Sequence, residues 1–261
     1  MDFVGAAIPL SSDGISRAAD RLQVDVAGIW AVLRVETRGC GFLADRRPQI
    51  LFERHWFHKQ TGGVFRQAAP DISNETPGGY GPGGAAQYER LARAIALDRR
   101  AALRSTSWGI GQVMGFHAED LGYPNAEVMV TAMVGGEDEQ LRAMTSFIVG
   151  AGLHRPMQQE DWAAFAHGYN GADFAKTHYD ERLRQEYADL VANGLPDLRI
   201  RTAQIRLMFN GLDPGPIDGE LGNLTRRALR TFQVQARLPL TGELDAPTLA
   251  ALEHSYGPAA G

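Results

Sequence analysis

Two ten-residue stretches near the C-terminal end, PIDGELGNLT (216–225) and PLTGELDAPT (239–248), carry Pro, Gly, Glu, Leu and Thr at the same offsets. Each copy reads as a turn centred on Gly219 or Gly242 followed by a helix start, with Asn223 or Asp245 as the N-cap and Pro247 in the first turn. Helical patterns flank the copies: IRTAQIRLMFNGL, LTRRALRTFQVQARL and APTLAALEHSY. The duplication therefore confines this region to three short helices joined by two equivalent turns, and about 60 residues is close to the smallest size that folds by itself. Just upstream, ANGLPDL (192–198) places a helix stop, Gly194, before a breaker, Pro196. The boundary is expected there, with one domain over 1–193, a smaller one over 198–256, and limited hinging between them.

The run DGELGNLTRRALRTFQ followed by LPLTGELDAPTLAAL resembles the small helical peptidoglycan-binding domain appended to many cell-wall hydrolases. The resemblance implies an address, bacterial peptidoglycan, and not a reaction. Asp218, Gly219, Gly222 and Thr225 read as turn and cap residues rather than ligand contacts.

The larger part reads as mostly helical. SSDGISRAADRL offers an N-cap and a short helix, and VDVAGIWAVLRVE sets Val26, Ile29 and Leu33 on one face. GGAAQYERLARAIALDRRAAL is a candidate for one long helix. AEVMVTAMVGGEDEQLRAMTSFIVGAG reads as two helices broken at Gly135-Gly136, and QEDWAAFAHGYNG as a short helix ended by Gly171. Between the early helices, RPQILFERHWFHKQTGG has the aromatic and β-branched content of one or two short strands. The expected class is mainly α (α+β), with a small β-sheet in the larger domain.

Cleaving a glycosidic bond needs a carboxylic acid that keeps its proton beside the leaving oxygen. Apolar surroundings raise a carboxyl pKa enough for that at neutral pH. Glu36 follows Ile29 and Leu33 by seven and three residues, so it lies on the stripe that faces the core. It also sits at a helix C-terminus, where the dipole disfavours an anion. The competing reading is a solvated charge paired with Arg34, Arg38 or Arg47. Two further segments bear on it. STSWGIGQVMG encloses Gln112 between glycines and an aromatic, a setting in which its amide could meet a sugar's acetamido or hydroxyl groups, or simply pack. AAFAHGYNG puts Tyr169 and Asn170 at a helix end, where a Tyr can stack on a pyranose face.

Taken together, Glu36-Thr37, the SWGIGQ of 107–112 and the YNG of 169–171 resemble the signature order of goose-type lysozymes and lytic transglycosylases. More closely, VETRGCGF, RPQILFERHWFHKQTGG and SWGIGQVMGFH resemble the N-acetylmuramidase domain of certain bacteriophage endolysins, over about residues 10–190. The resemblance implies a lysozyme-like fold and cleavage of the β-1,4 MurNAc-GlcNAc bond, with Glu36 as the acid and Ser107, Gln112, Tyr169 and Asn170 in the substrate cleft. Glu53 is the first candidate for a supporting carboxylate and Asp45 the second, with an arginine salt bridge the alternative for Glu53. Two other outcomes stay open: a lytic transglycosylase giving 1,6-anhydro ends, and a non-catalytic wall-binding protein.

Other chemistries find less to stand on. With 261 residues, 44% hydrophobic and 22% charged, the composition is that of a globular chain, and a net charge of -5 gives no footprint for nucleic acid. Cys40 stands alone, so no disulfide framework is available, and it reads as a small buried hydrophobe. His55 and His58 form an H-x-x-H without a third ligand at metal spacing, so neither metal nor cofactor is expected. PGGYGPGG lacks the G-K-[ST] of a phosphate loop and reads as a flexible loop beside the cleft. No run approaches the roughly 20 apolar residues of a membrane span. MDFVGAAIPLSSDG carries an acid where a signal peptide needs a basic region. The expectation is a monomer made in a bacterial cytoplasm, reaching the wall after holin-type release.

Overall fold

A computed structural model describes residues 3–37, 39–172 and 174–255; Arg38, one of the expected partners of Glu36, and Tyr256, in the expected C-terminal domain, lie outside them. Among the described residues there are thirteen α-helices and three short strands.

The chain enters through α1 (Ser12–Leu22), whose N-cap Ser11 accepts from the Gly14 N–H at 2.9 Å. The next helix, α2 (Val26–Thr37), is buried nearly all round: Ile29, Trp30, Val32 and Leu33 are all sealed. An apolar stripe on one face is the expectation; the helix instead runs through the middle of the larger hydrophobic core, as a helix apolar on every side must. Strand β1 (Ile50–Phe52) follows, and then α3 (Arg54–Gln60). RHWFHKQ is thus helical where strand was expected, and Glu53 is the junction residue at the N-cap of α3.

The single long helix expected over 83–103 is two, α4 (Ala86–Leu97) and α5 (Arg99–Arg104). Asp98 breaks it: its backbone is extended and its carboxylate accepts from the Ala101 N–H at 2.8 Å, so it caps the second helix instead of continuing the first. Strands β2 (Thr106–Trp108) and β3 (Val113–Met114) complete an antiparallel sheet in the order β1-β2-β3, with Phe52 opposite Thr106 and Ser107 opposite Met114. Helices α6 (Ala126–Met133) and α7 (Glu137–Gly150) part at the glycine pair as expected. After α8 (His154–Gln158), α9 (Trp162–Asn170) stops at Gly171. A fifteen-residue helix, α10 (Tyr179–Asn193), then packs along α2; its pattern went unread in the sequence.

Helices α11 (Leu198–Phe209), α12 (Asn223–Gln235) and α13 (Ala246–His254) enclose a second hydrophobic cluster of Ala203, Leu207, Ala228, Leu229, Phe232 and Leu252. Asp245 caps α13 as expected, but Gly222, and not Asn223, occupies the cap of α12. The duplicated motif now has a physical cause. The buried Gln204 side chain accepts from the Gly219 N–H at 2.9 Å and donates to Asp218, the Glu220 carbonyl and Thr225. One copy later, buried Gln233 accepts from the Gly242 N–H at 2.9 Å and donates to Thr241, the Glu243 carbonyl and Thr248. Each glycine turn is folded around a glutamine from the helix before it, with φ of 78° at Gly219 and 68° at Gly242.

Candidate active site

A groove of about 560 Å³ opens along the sheet, and Glu36, Glu53, Ser107, Gln112, Tyr169 and Asn170 all line it. The six residues singled out in the sequence come from five separate elements and junctions, yet the fold delivers them to one surface.

Glu36 lies in the last turn of α2. Gly39, at φ 80°, closes the helix by donating its N–H to the Leu33 carbonyl at 3.1 Å. Thr37, in the place where a Ser is usual in the families that the motif resembles, is buried and donates its hydroxyl to the Ile110 carbonyl at 3.2 Å. The two glycine-rich motifs meet on Gln140: a Cβ at Gly41 would lie 2.0 Å from its Oε1, and one at Gly109 2.6 Å from its side chain. Only glycine fits at either position without displacing that buried amide, whose Oε1 accepts from the Ile110 N–H at 2.8 Å.

The carboxyl of Glu36 is pushed up to about 7, first by burial, against the opposing pull of a hydrogen bond from Tyr179 and the charge of Arg182. Both opposing residues belong to α10. Tyr179 donates its hydroxyl to Glu36 Oε1. Arg182 donates Nη2 to the Val35 carbonyl at 3.0 Å, satisfying a backbone oxygen left open at the end of α2. The pairings considered for a solvated Glu36 are engaged elsewhere: Arg34 with Glu186 and Asp189, Arg47 with Asp45.

Glu53 is also held above the usual carboxylate range by burial, partly offset by a hydrogen bond from Tyr80 at 3.2 Å and by Arg90. Its Oε2 lies 3.1 Å from His55 Nδ1, while Arg54 turns away to the Thr76 carbonyl at 3.0 Å. Tyr80 comes from the glycine-rich loop, which buried Gln87 pins through the carbonyls of Tyr80 and Pro82 at 2.8 and 2.7 Å. Asp45 is away from the groove; some burial notwithstanding, its bonds to Arg47 hold its carboxyl low.

Gln112 has a left-handed backbone, φ 47°, and spends both amide hydrogens internally, on the carbonyls of Gln49 at 3.2 Å and Gly109 at 2.8 Å. Its Oε1 accepts from Ser107 at 2.9 Å. The pair therefore braces the floor, leaving Oε1 a second lone pair. Tyr169 likewise commits its hydroxyl to the Gly111 carbonyl at 2.7 Å and stacks on Phe165 at 5.2 Å. Asn170, at the end of α9, is exposed.

A feature that sequence reasoning missed is a chain of rings along the groove. Trp56 meets Phe116 at 4.4 Å, Phe116 meets His117 at 4.4 Å, His117 meets Phe147 at 4.9 Å, and Phe147 meets Tyr169 edge-on at 5.5 Å. Burial lowers the His117 imidazole from its ordinary value, against the opposing pull of Asp120. Half-buried aromatic faces of this kind offer apolar, C–H-rich sugar rings a surface to lie on. Cys40 is no nucleophile: buried, with its thiol pushed up to about 12 by burial and then by Glu137.

The family described as N-acetylmuramidase matches residues 25–191, and one described as a peptidoglycan binding domain matches residues 196–252. Among solved structures, the crystal structure of Burkholderia AP3 phage endolysin is similar, with 41% sequence identity, a TM-score of 0.64, and coverage of 70% of this chain and 72% of that one. None of the curated proteins matches the chain.

Proposed function

Given that the chain belongs to the N-acetylmuramidase family and is a peptidoglycan hydrolase, we propose that Glu36 is the acid that cleaves the glycan strand between MurNAc and GlcNAc. The observation that carries this reading is the placement of Glu36 in the groove with a carboxyl held at about 7. At and below neutrality it carries a proton to give. As the glycosidic C–O bond breaks, that proton passes to the leaving oxygen and the electron pair of the bond leaves with it, giving an oxocarbenium-like centre. Burial keeps the acid protonated beforehand; the Tyr179 hydroxyl and the Arg182 charge then steady the carboxylate that remains. Glu53 supplies the second carboxyl lining the groove and supports the positive charge or the incoming water. Ser107 and Gln112 shape the floor, Tyr169 and Asn170 the end formed by α9, and the ring chain from Trp56 to Phe147 carries neighbouring sugars.

The division of labour follows the two hydrophobic clusters. Residues 1–193 do the chemistry, and residues 198–256 hold the enzyme on its insoluble substrate, which raises the local concentration of bonds without altering the reaction. No helix among the described residues is long and apolar enough to cross a membrane. The protein acts as a monomer on the wall, without nucleic acid or membrane insertion, after release from a bacterial cytoplasm through holin-type pores.

Mass spectrometry of the fragments that the wild type releases from purified peptidoglycan tests the reaction. Reducing MurNAc ends are expected. Anhydro ends, lighter by one water, would replace hydrolysis with transglycosylation, and reducing GlcNAc ends would move the cut to the other bond.

A further inference from the structure

Arg201 belongs to α11, inside the region matched by the peptidoglycan binding domain, but its side chain is fully buried against the other part of the molecule. Its guanidinium donates through Nη1 and Nη2 to the two carboxylate oxygens of Glu137 at 2.7 and 2.8 Å, and through Nε to the Gly39 carbonyl at 2.9 Å; Nη2 reaches the same carbonyl. Glu137, also fully buried, accepts from the Gly41 and Leu10 N–H groups, each at 2.8 Å. The guanidinium carbon lies 5.4 Å from the ring of Trp30 in α2. Gly39 and Gly41 are the residues on which the chain turns immediately after Glu36 and Thr37.

We propose that Arg201 is a positioning residue for the reaction: the wall-binding part of the chain completes the scaffold that holds the loop behind Glu36. This rests on the reading of Glu36 as the acid. A tether would need no such contact. A flexible linker suffices to raise local concentration, whereas here a side chain of α11 donates to a buried carboxylate and a buried carbonyl of the catalytic part. Taking two charges out of water is costly, and a pair so placed contributes chiefly when its polar atoms are hydrogen-bonded; here all three guanidinium nitrogens and both Glu137 oxygens have partners. Its geometric effect is to fix the backbone from which the last turn of α2 hangs, and a displacement of about 1 Å at a reacting group can cost up to about a hundredfold in rate.

The test uses the full-length chain and short soluble glycan strands, on which wall binding confers no advantage. Arg201→Lys keeps a charge for Glu137 but loses the planar fork that reaches the Gly39 carbonyl. Its kcat is expected to fall by about tenfold or more, with KM within about twofold and sedimentation with purified wall unchanged. Arg201→Met with Glu137→Gln removes both charges together, avoiding a lone buried carboxylate, and is expected to lose kcat in the same way. All are assayed well below their unfolding temperatures. In the wild type, the Gly41 amide is expected to exchange its hydrogen only through global unfolding. Wild-type kcat in either variant, or fast local exchange at Gly41, would overturn the proposal. Glu36→Gln is measured alongside: if it keeps turnover, the acid has been misassigned, whereas its inactivity beside fully active Arg201 variants would sink the positioning role alone.

Discussion

The hydroxyl of Tyr179 donates to Oε1 of Glu36, joining the first residue of α10 to the last turn of α2. The groups facing this carboxyl from the packed elements are Tyr179 and Arg182 of α10 and Tyr169 of α9. Burial raises its pKa; Tyr179 and Arg182 lower it. On the proposed role of Glu36 the active form is the protonated one, so activity is expected to fall as pH rises through about 7. Tyr179→Phe removes a lowering influence. The alkaline limb of kcat/KM on soluble glycan should therefore move to higher pH; a limb that stays put or moves down would mean that Tyr179 does not bond the ionised acid.

The same shift has a stability consequence. A carboxyl raised from 4.5 to about 7 binds its proton more tightly in the folded state than in the unfolded one. Folding stability is therefore greatest below the unfolded pKa and declines as pH rises through the folded one. Glu36→Gln removes this penalty. Chemical unfolding should show the variant more stable than the wild type by about 3 kcal/mol at pH 8, with the difference fading toward pH 4. Equal pH dependence in the two proteins would mean that Glu36 titrates normally.

Trp56 begins the ring chain and packs on Phe116 while Lys59 lies 4.7 Å from its ring centre. Trp56→Ala should weaken glycan binding by about 1–2 kcal/mol, roughly a fivefold to thirtyfold rise in KM. Kinetics on strands of increasing length would check it, the effect growing once the strand spans Trp56. An unchanged KM at every length would remove the ring from the binding surface.

In the C-terminal helices, Gln204→Leu and Gln233→Leu each leave a glycine turn without its central partner. Each should cost about 2–3 kcal/mol in urea unfolding. The near-equality of the two losses is the informative part, because the two glutamines make equivalent bonds, with Asp218 in the first turn standing where Thr241 stands in the second. A large loss from only one would show that the duplication is of sequence and not of energetics.

What could be read in the chain and what could not divide along the range of the interactions. Glycine stops, caps and local repeats are written within a few residues, so the break at Gly135-Gly136, the end of α9 at Gly171 and the two equivalent turns were legible. Glu36, Tyr169 and Gln112 stand out because their motifs are short, and all three line the groove. Misreadings came where one residue arbitrates: Asp98 caps a new helix, and in aromatic-rich RHWFHKQ, which is helical, Trp56 packs on Phe116, far along the chain. Helix α10 was missed although Tyr179, Leu183 and Leu190 mark its buried face and Gly194 its end. No local pattern could have announced Arg201 and Glu137, whose union lies 64 residues apart in the chain, or that Gln112 would spend its amide on the floor of the groove.

The most direct test of the account is the release of soluble fragments from purified peptidoglycan at pH 6 by the wild type and by Glu36→Gln, with sedimentation of each protein on the same wall. Glu36→Gln is expected to bind the wall as the wild type does and to release fragments at least about a hundredfold more slowly. Release at the wild-type rate would show that another group delivers the proton.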